Sequence, residues 1–152
     1  METLKPKFLL SENLNRLARY LRMMGYDAVV YKSISFSNKI RLVNKDRRIY
    51  LTRSPKESKS NQKFNRFLIK SVKIDEQLKE IKKYITFPND FLFSRCIECN
   101  KLLYQIDKGK ISNLVPEYIL QNHNDFLVCR KCGKIYWKGT HYQDMMKKLS
   151  EL

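Results

Sequence analysis

All four cysteines of the chain fall in two tight pairs, Cys96-x-x-Cys99 and Cys129-x-x-Cys132. Two thiolates two residues apart can turn back onto one tetrahedral ion, and two such turns fill every position around it. A filled shell leaves no place for a reactive water, so an ion held this way is structural. The stretch between the pairs exceeds the roughly 15–20 residues of the commonest spacing, which calls for a longer excursion between them. Disulfides, inert buried thiols and an iron–sulfur cluster are the competing uses of the same residues. The cations Arg95, Lys101, Arg130, Lys131 and Lys134 suit the net negative charge of a four-thiolate zinc centre. One structural Zn²⁺ on Cys96, Cys99, Cys129 and Cys132 is therefore expected.

Charge is the second constraint. Lys and Arg total 31 against 15 Asp and Glu, a formal net charge of +16 on 152 residues. Such an excess attracts a polyanion through counterion release and suits small neutral substrates poorly. A solubility surface rich in lysine is the plainer explanation, but the magnitude favours nucleic acid. No apolar run reaches the length of a membrane span. The opening Met1-Glu2-Thr3-Leu4-Lys5-Pro6 has no apolar leader core. A cytoplasmic protein with no membrane partner is expected, where thiols stay reduced and open to metal.

Along the chain, Lys7 to Leu10 reads as a buried strand and Ser11 as a helix N-cap. Leu14, Leu17, Ala18, Leu21 and Met24 recur at helical spacing between Glu12 and Met24, and Gly25 closes that helix. Ala28 to Tyr31, Ile49 to Thr52 and Arg66 to Ile69 read as further strands. Ser37 to Lys45 reads as a helix with Ile40 and Val43 inward. Asp75 is expected to cap a helix running to about Ile85. Strands alternating with helices predict an α/β fold with a parallel sheet flanked by helices. Pro88 and Asn89-Asp90 mark a boundary between residues 1–88 and a metal module at 89–152, which ends in a short basic helix from about Tyr142. The segment from Arg53 to Arg66 carries Arg53, Lys56, Lys59, Lys63 and Arg66 among serines. It is either a solvated loop or an arm that contacts phosphate.

Several strings together resemble a known family. Phe8-Leu9-Leu10-Ser11 and Leu17-Ala18-Arg19-Tyr20-Leu21-Arg22-Met23-Met24-Gly25-Tyr26-Asp27 are similar to its N-terminal signature, as are Leu51-Thr52-Arg53-Ser54 and Glu76-Gln77-Leu78. Ser94-Arg95-Cys96-Ile97-Glu98-Cys99-Asn100 and the run from Gly133 to His141 resemble its zinc ribbon. This is the Mut-seven C-terminal family, a PIN-like ribonuclease domain fused to a zinc ribbon. The resemblance implies a PIN-like α/β fold followed by a small four-cysteine ribbon. It also implies acidic residues at strand ends that hold a divalent metal for phosphodiester hydrolysis.

Here the acids implied at those positions are replaced. The residue after the first strand is Ser11, the Leu-Thr-Arg-Asp acid is Ser54, the pair opening the second helix is Phe36 and Ser37, and the site before the fourth helix falls at Val72 and Lys73. A hard cation needs carboxylate oxygens; serine is neutral and lysine repels it. Glu12 and Asp27 remain nearby in sequence.

The expectation is a non-catalytic RNA-binding protein, not an enzyme, associated with a ribonucleoprotein particle such as a ribosomal subunit. Structured RNA, ribosomal RNA first, and ribosomal or other ribonucleoprotein subunits are its expected partners. A metal-dependent ribonuclease with a rebuilt acidic site is the alternative, and an interaction module with an acidic protein partner is a third reading. The expected RNA contacts are Arg16, Arg19 and Arg22 on the first helix, the basic residues from Arg53 to Arg66, and Lys138 and His141 in the ribbon. Tyr136 and Trp137 are candidates for base stacking, although Trp137 is better read as packing the ribbon against the main domain. His123 reads as an ordinary surface residue.

Overall fold

The structure is a computed structural model that describes residues 5–86 and 92–152. The expected boundary at Pro88–Asn89 lies outside the described residues. Strand β1 (Phe8–Leu10) is wholly buried, β2 (Ala28–Val30) and β3 (Ile49–Thr52) flank it, and β4 (Arg66–Leu68) pairs with β3. All pairings are parallel, in the order β2-β1-β3-β4. Successive side chains of a strand face opposite layers. Phe8, Leu10 and Leu51 accordingly enter the main core, while Leu9 and Tyr50 pack with Val43 on the other face.

Helix α1 (Asn15–Met23) supplies the main-core layer, preceded by a single 3₁₀ turn at Glu12–Leu14. Nine residues are too few for a helix to persist alone. Burial of Leu14, Leu17 and Leu21, each at most 1% exposed, is worth roughly 2 kcal/mol per side chain and decides its formation. Gly25 follows in the left-handed region at φ 88°, where a side chain would be strained. Ser11 stands at the expected position, but its hydroxyl donates to Asn13 Oδ1 at 2.8 Å and makes no cap bond. The 3₁₀ turn accounts for this, since it delays the α-helix to Asn15.

Helix α2 (Phe36–Asp46) covers the opposite face and is capped by the Ser35 hydroxyl, which accepts from Asn38 N–H at 3.2 Å. After β3 comes α3 (Pro55–Ser58), and after β4 comes α4 (Ile74–Glu80). Asp75 does not cap α4. Lys73 occupies that position, and Asp75, within the first turn, pairs with Lys148 at 2.7 Å.

The segment from Arg53 to Arg66 is pinned at both ends. The Ser54 hydroxyl caps α3 by accepting from Glu57 N–H at 3.2 Å, a bond worth about 1 kcal/mol. The Glu57 carboxylate accepts from Thr52 Oγ1 at 2.7 Å and Tyr50 OH at 3.0 Å. Arg66 donates to Ser60 O and Gln62 O while lying over the Phe64 ring.

The second sheet is antiparallel: β5 (Leu103–Ile106), β6 (Phe126–Cys129) and β7 (Ile135–Tyr136) in that order. Between β5 and β6, helix α5 (Glu117–Asn122) lies near a satellite core of Ile111, Val115 and Phe126. Trp137 belongs to this satellite core, 6.3 Å from the Phe126 ring. It thus packs the ribbon against itself rather than against the main domain. Helix α6 (Thr140–Ser150) turns back, and its Met145 and Leu149 join the core built by α1 and α4. Phe93, Cys96, Ile97, Cys129 and Tyr136 belong to that same core, so both sheets share it. Among the described residues, no helix is long and apolar enough to cross a membrane.

Candidate metal centre and nucleic-acid interface

The two cysteine pairs are built alike. In the first, Asn100 takes the left-handed conformation at φ 64°, its N–H donates to Cys96 O, and Cys96 N–H donates to Lys101 O. In the second, Gly133 takes φ 79°, its N–H donates to Cys129 O, and Cys129 N–H donates to Lys134 O. Each turn bends the chain so that both thiols of a pair face the same point. The four Sγ atoms lie within 4.8 Å of one another. Cys96 and Cys132 Sγ are 3.8 Å apart, the edge expected of a tetrahedron with Zn–S bonds of about 2.3 Å. Among the described residues this quartet is the one group of three or more Cys, His, Asp or Glu side chains that converges.

The surroundings suit a cation. Crowding by burial and by the other thiols pushes Cys99 up to about 12. Cys129, though burial opposes it, is drawn down to about 7 by the backbone N–H groups of Cys132 and Lys131. Four thiols this close can all ionise only around a metal. Tyr136 OH sits 3.1 Å from Cys96 Sγ and accepts from Ile97 N–H at 3.0 Å, which ties the thiol to the core. Tyr136 is 5% exposed and its ring packs edge-on against Phe93, so it is not available to stack on a base.

The first cysteine turn is bolted to the parallel sheet. Arg22, 7% exposed, donates to Ala28 O and to Ile97 O, each at 2.8 Å. Burial lowers its pKa, against which the thiols and Glu98 act. Asn100 accepts from Ala28 N–H and donates to Asp27 Oδ1, which Arg48 also holds. Arg19 pairs with Glu98, which Lys134 also approaches at 3.7 Å. Of the three arginines expected to face RNA on α1, Arg22 therefore turns inward, Arg19 is engaged by the ribbon, and Arg16 alone is exposed and unpaired among the described residues.

The positions implied for acids lie at the carboxyl edge of the parallel sheet. Ser11 follows β1, Ser54 follows β3, Phe36 and Ser37 open α2, and Val72 and Lys73 precede α4. Phe36 packs edge-on against Phe64, 5.7 Å away, and Val72 is 74% exposed. The acids near this edge are already bonded, Asp75 to Lys148 and Glu76 to Lys79 in the first turn of α4 among them. Glu12 accepts from Ser33 N–H at 2.6 Å. Glu57 holds Tyr50 and Thr52 as described. Glu80 accepts from the N–H groups of Lys70 and Ser71, both at 2.8 Å, which hold it below its ordinary value although burial acts the other way. Among the described residues no set of three or more carboxylates converges here, so these residues do not fit a hard divalent cation. Asp27, counted with Glu12 from sequence, precedes β2 and so stands at the opposite, amino edge of the sheet, with Arg48 as its partner.

The other expected RNA contacts are on separate elements. Lys56, Lys59 and Lys63 are exposed along the β3–β4 connection, where Arg53 is half-buried and Arg66 is spent on Ser60 and Gln62. Lys138 and His141 are exposed at the start of α6. His123 ends α5 half-buried and lines, with His141, Trp137 and Tyr142, a pocket of about 630 Å³.

A parallel four-stranded sheet covered by helices, joined through a shared core to a ribbon whose four cysteines are placed to hold a metal ion, defines a PIN-like domain with a four-cysteine ribbon. The chain belongs to the Mut7-C RNAse domain family, whose model matches residues 6–149. No characterised protein and no solved structure matches the chain.

Proposed function

We propose that this chain is a non-catalytic RNA-binding protein in which a degenerate PIN-like domain is braced by one structural zinc ion on Cys96, Cys99, Cys129 and Cys132. The observation that carries the reading is the carboxyl edge of the sheet. Ser11, Ser37, Ser54 and Lys73 stand there, the nearby Glu12, Glu57 and Glu80 are consumed by local hydrogen bonds, and Asp75 is paired with Lys148. Loss of acids removes repulsion against phosphate, and hydroxyls offer it neutral donors. The net charge of +16 supplies the sequence-independent attraction. Arg16, Lys56, Lys59, Lys63 and Lys138 are the exposed cations of the sequence reading that remain available for phosphate.

A basic protein of this size without chemistry suits a ribonucleoprotein particle in the cytoplasm, the ribosomal subunit first. Purified protein incubated with RNA and Mg²⁺ or Mn²⁺ is expected to bind in a salt-dependent manner and to leave the RNA intact. Cleavage that disappears on Glu12→Gln or Glu57→Gln would establish the ribonuclease instead. Native protein is expected to co-sediment with ribosomes or another large RNA particle at moderate salt. Recovery only in the free fraction would remove the particle from the reading.

A further inference from the structure

A cleft of about 950 Å³ opens between the outer edge of the parallel sheet and the two cysteine turns. It follows β2, an edge strand, from Asp27 at its amino end to Tyr31 just past its carboxyl end. The facing wall is made by Lys101 and Leu102 of the first turn, Tyr104 of β5, and Arg130 and Lys131 of the second. Its volume lies at the upper end of the range for ligand pockets, about 300–1,000 Å³.

The charges in this cleft do not cancel. Its two acids are both in use: Asp27 is held by Arg48 and Asn100, and Glu98 is shared by Arg19 and Lys134. Arg22 is committed to backbone carbonyls. Arg95, Lys101, Arg130 and Lys131 line the cleft with no ion pair among the described residues. A four-thiolate zinc centre is doubly negative, so four such cations exceed what it requires. Arg95 donates through Nη1 to Asn100 O at 2.7 Å, while its Nε is buried with no acceptor among the described residues.

Two aromatic faces accompany the cations. Tyr31 is 38% and Tyr104 is 42% exposed, and the Arg130 guanidinium lies 3.6 Å from the Tyr104 ring centroid. A guanidinium already stacked on a ring is a preassembled platform, because its rotamers are fixed before a base arrives. Cations interleaved with open aromatic faces are the chemistry of single-strand binding, in which bases must be unpaired to stack.

We propose that this cleft binds a short stretch of single-stranded RNA, with bases stacked on Tyr31 and on the Arg130–Tyr104 pair and phosphates on Arg95, Lys101 and Lys131. The inference rests on the RNA-binding reading above and assigns that binding to the surface between β2 and the ribbon. Ser11, Ser37, Ser54, Lys73 and the β3–β4 connection do not line this surface. It also specifies an unpaired segment within whatever larger RNA the protein meets.

The test uses the full-length, zinc-loaded protein and a fluorescein-labelled single-stranded RNA of about ten nucleotides, read by anisotropy across a salt series. Tyr104→Ala is expected to weaken binding about tenfold, the loss of one stacked base. Lys101→Gln with Lys131→Gln is expected to lower the slope of log affinity against log salt by about 1.4, or about 0.7 per phosphate contact on a single strand. Zinc content near one per chain in each variant shows that the cysteine turns are intact. If these variants bind as tightly as the parent while Lys56→Gln/Lys59→Gln/Lys63→Gln loses affinity, the cleft assignment is overturned and the RNA-binding reading stands. If the unaltered protein binds no RNA at all, that reading falls and takes the cleft with it. Displacement of the RNA by polyglutamate at equal charge would assign the cleft to an acidic protein and overturn the inference.

Discussion

Arg48 grips Asp27 through both carboxylate oxygens, Nη1 to Oδ1 at 2.9 Å and Nη2 to Oδ2 at 3.3 Å, and Asn100 donates to the same Oδ1 at 2.7 Å. The triad ties the residue before β3 to the residue before β2 and to the first cysteine turn. Burial by itself would raise the Asp27 carboxyl, but the bonds from Arg48 and Asn100 outweigh it and hold the group below its ordinary value. A depressed acid stabilises the fold above its unfolded pKa of about 3.9, and that stability is lost as pH falls through the lower folded value. Asp27→Asn is expected to cost about 2 kcal/mol at neutral pH by urea denaturation. The gap between variant and parent should hold from pH 7 to about pH 4 and close only below it.

Removal of zinc should be felt well outside the ribbon. Arg22 of α1 donates to Ile97 O, between Cys96 and Cys99, and Asn100 satisfies Ala28 N–H at the start of β2. Without the metal the four thiols lose what holds them together, and those acceptors move with them. Chelation is expected to raise amide exchange at Ala28 and along Phe126–Cys129 by at least tenfold. Protection at Tyr50 and Leu51 in the middle of the sheet should persist. Exchange confined to the ribbon would show that the two sheets are energetically separate.

What the sequence shows is what is local. The repeat of Leu14, Leu17, Ala18, Leu21 and Met24 gives α1, because helical period and burial coincide. The cysteine spacing gives the metal turns, because both thiols of a pair lie within one tight turn of chain. The i, i+3 spacing of Arg16, Arg19 and Arg22 sets them along one helix, but their roles depend on what covers each of them. The ribbon acceptor of Arg22, Ile97 O, is 75 residues away in the chain. Ser54 reads as a missing acid, yet in the fold it caps α3, and that cap is visible only with Glu57 in view. Tyr136 belongs to a run of ring-bearing residues that suggests stacking, and only the packing of Phe93 against it shows that it is closed off. Asp27 is near Glu12 in sequence but across the sheet from it, because α1 and its turn reverse the chain between them.

Tyr136 gives a third prediction. Its hydroxyl bonds Cys96 Sγ and accepts the Ile97 N–H, so Tyr136→Phe strips the thiol of a partner and leaves a buried N–H unsatisfied. Outer-shell partners of this kind are worth about 10- to 100-fold in metal affinity. Competition with a chromogenic chelator is expected to show zinc binding weakened by about tenfold in the variant, with the ring packing on Phe93 retained. Unchanged zinc affinity would show that this hydroxyl serves the fold alone.

The last prediction reverses the losses at the carboxyl edge. Parallel strands all leave the sheet at one edge, so Ser11 after β1 and Ser54 after β3 share it with Glu12 and Glu57. Aspartate caps a helix as well as serine does, so Ser54→Asp keeps the start of α3. The double variant Ser11→Asp/Ser54→Asp should therefore fold, and its added carboxylates give a divalent cation charged oxygens that the parent lacks. A ligand at about ten times its Kd stabilises by about 1.4 kcal/mol, which raises Tm by a few degrees in a domain of this size. Millimolar Mn²⁺ is expected to raise the Tm of the double variant by that amount and to leave the parent unmoved. The same acids repel phosphate, so RNA affinity at fixed low salt should fall as metal affinity rises. An equal Mn²⁺ shift in the parent would mean that Glu12 and Glu57 already hold a cation there, and the ribonuclease reading would then replace the binding one.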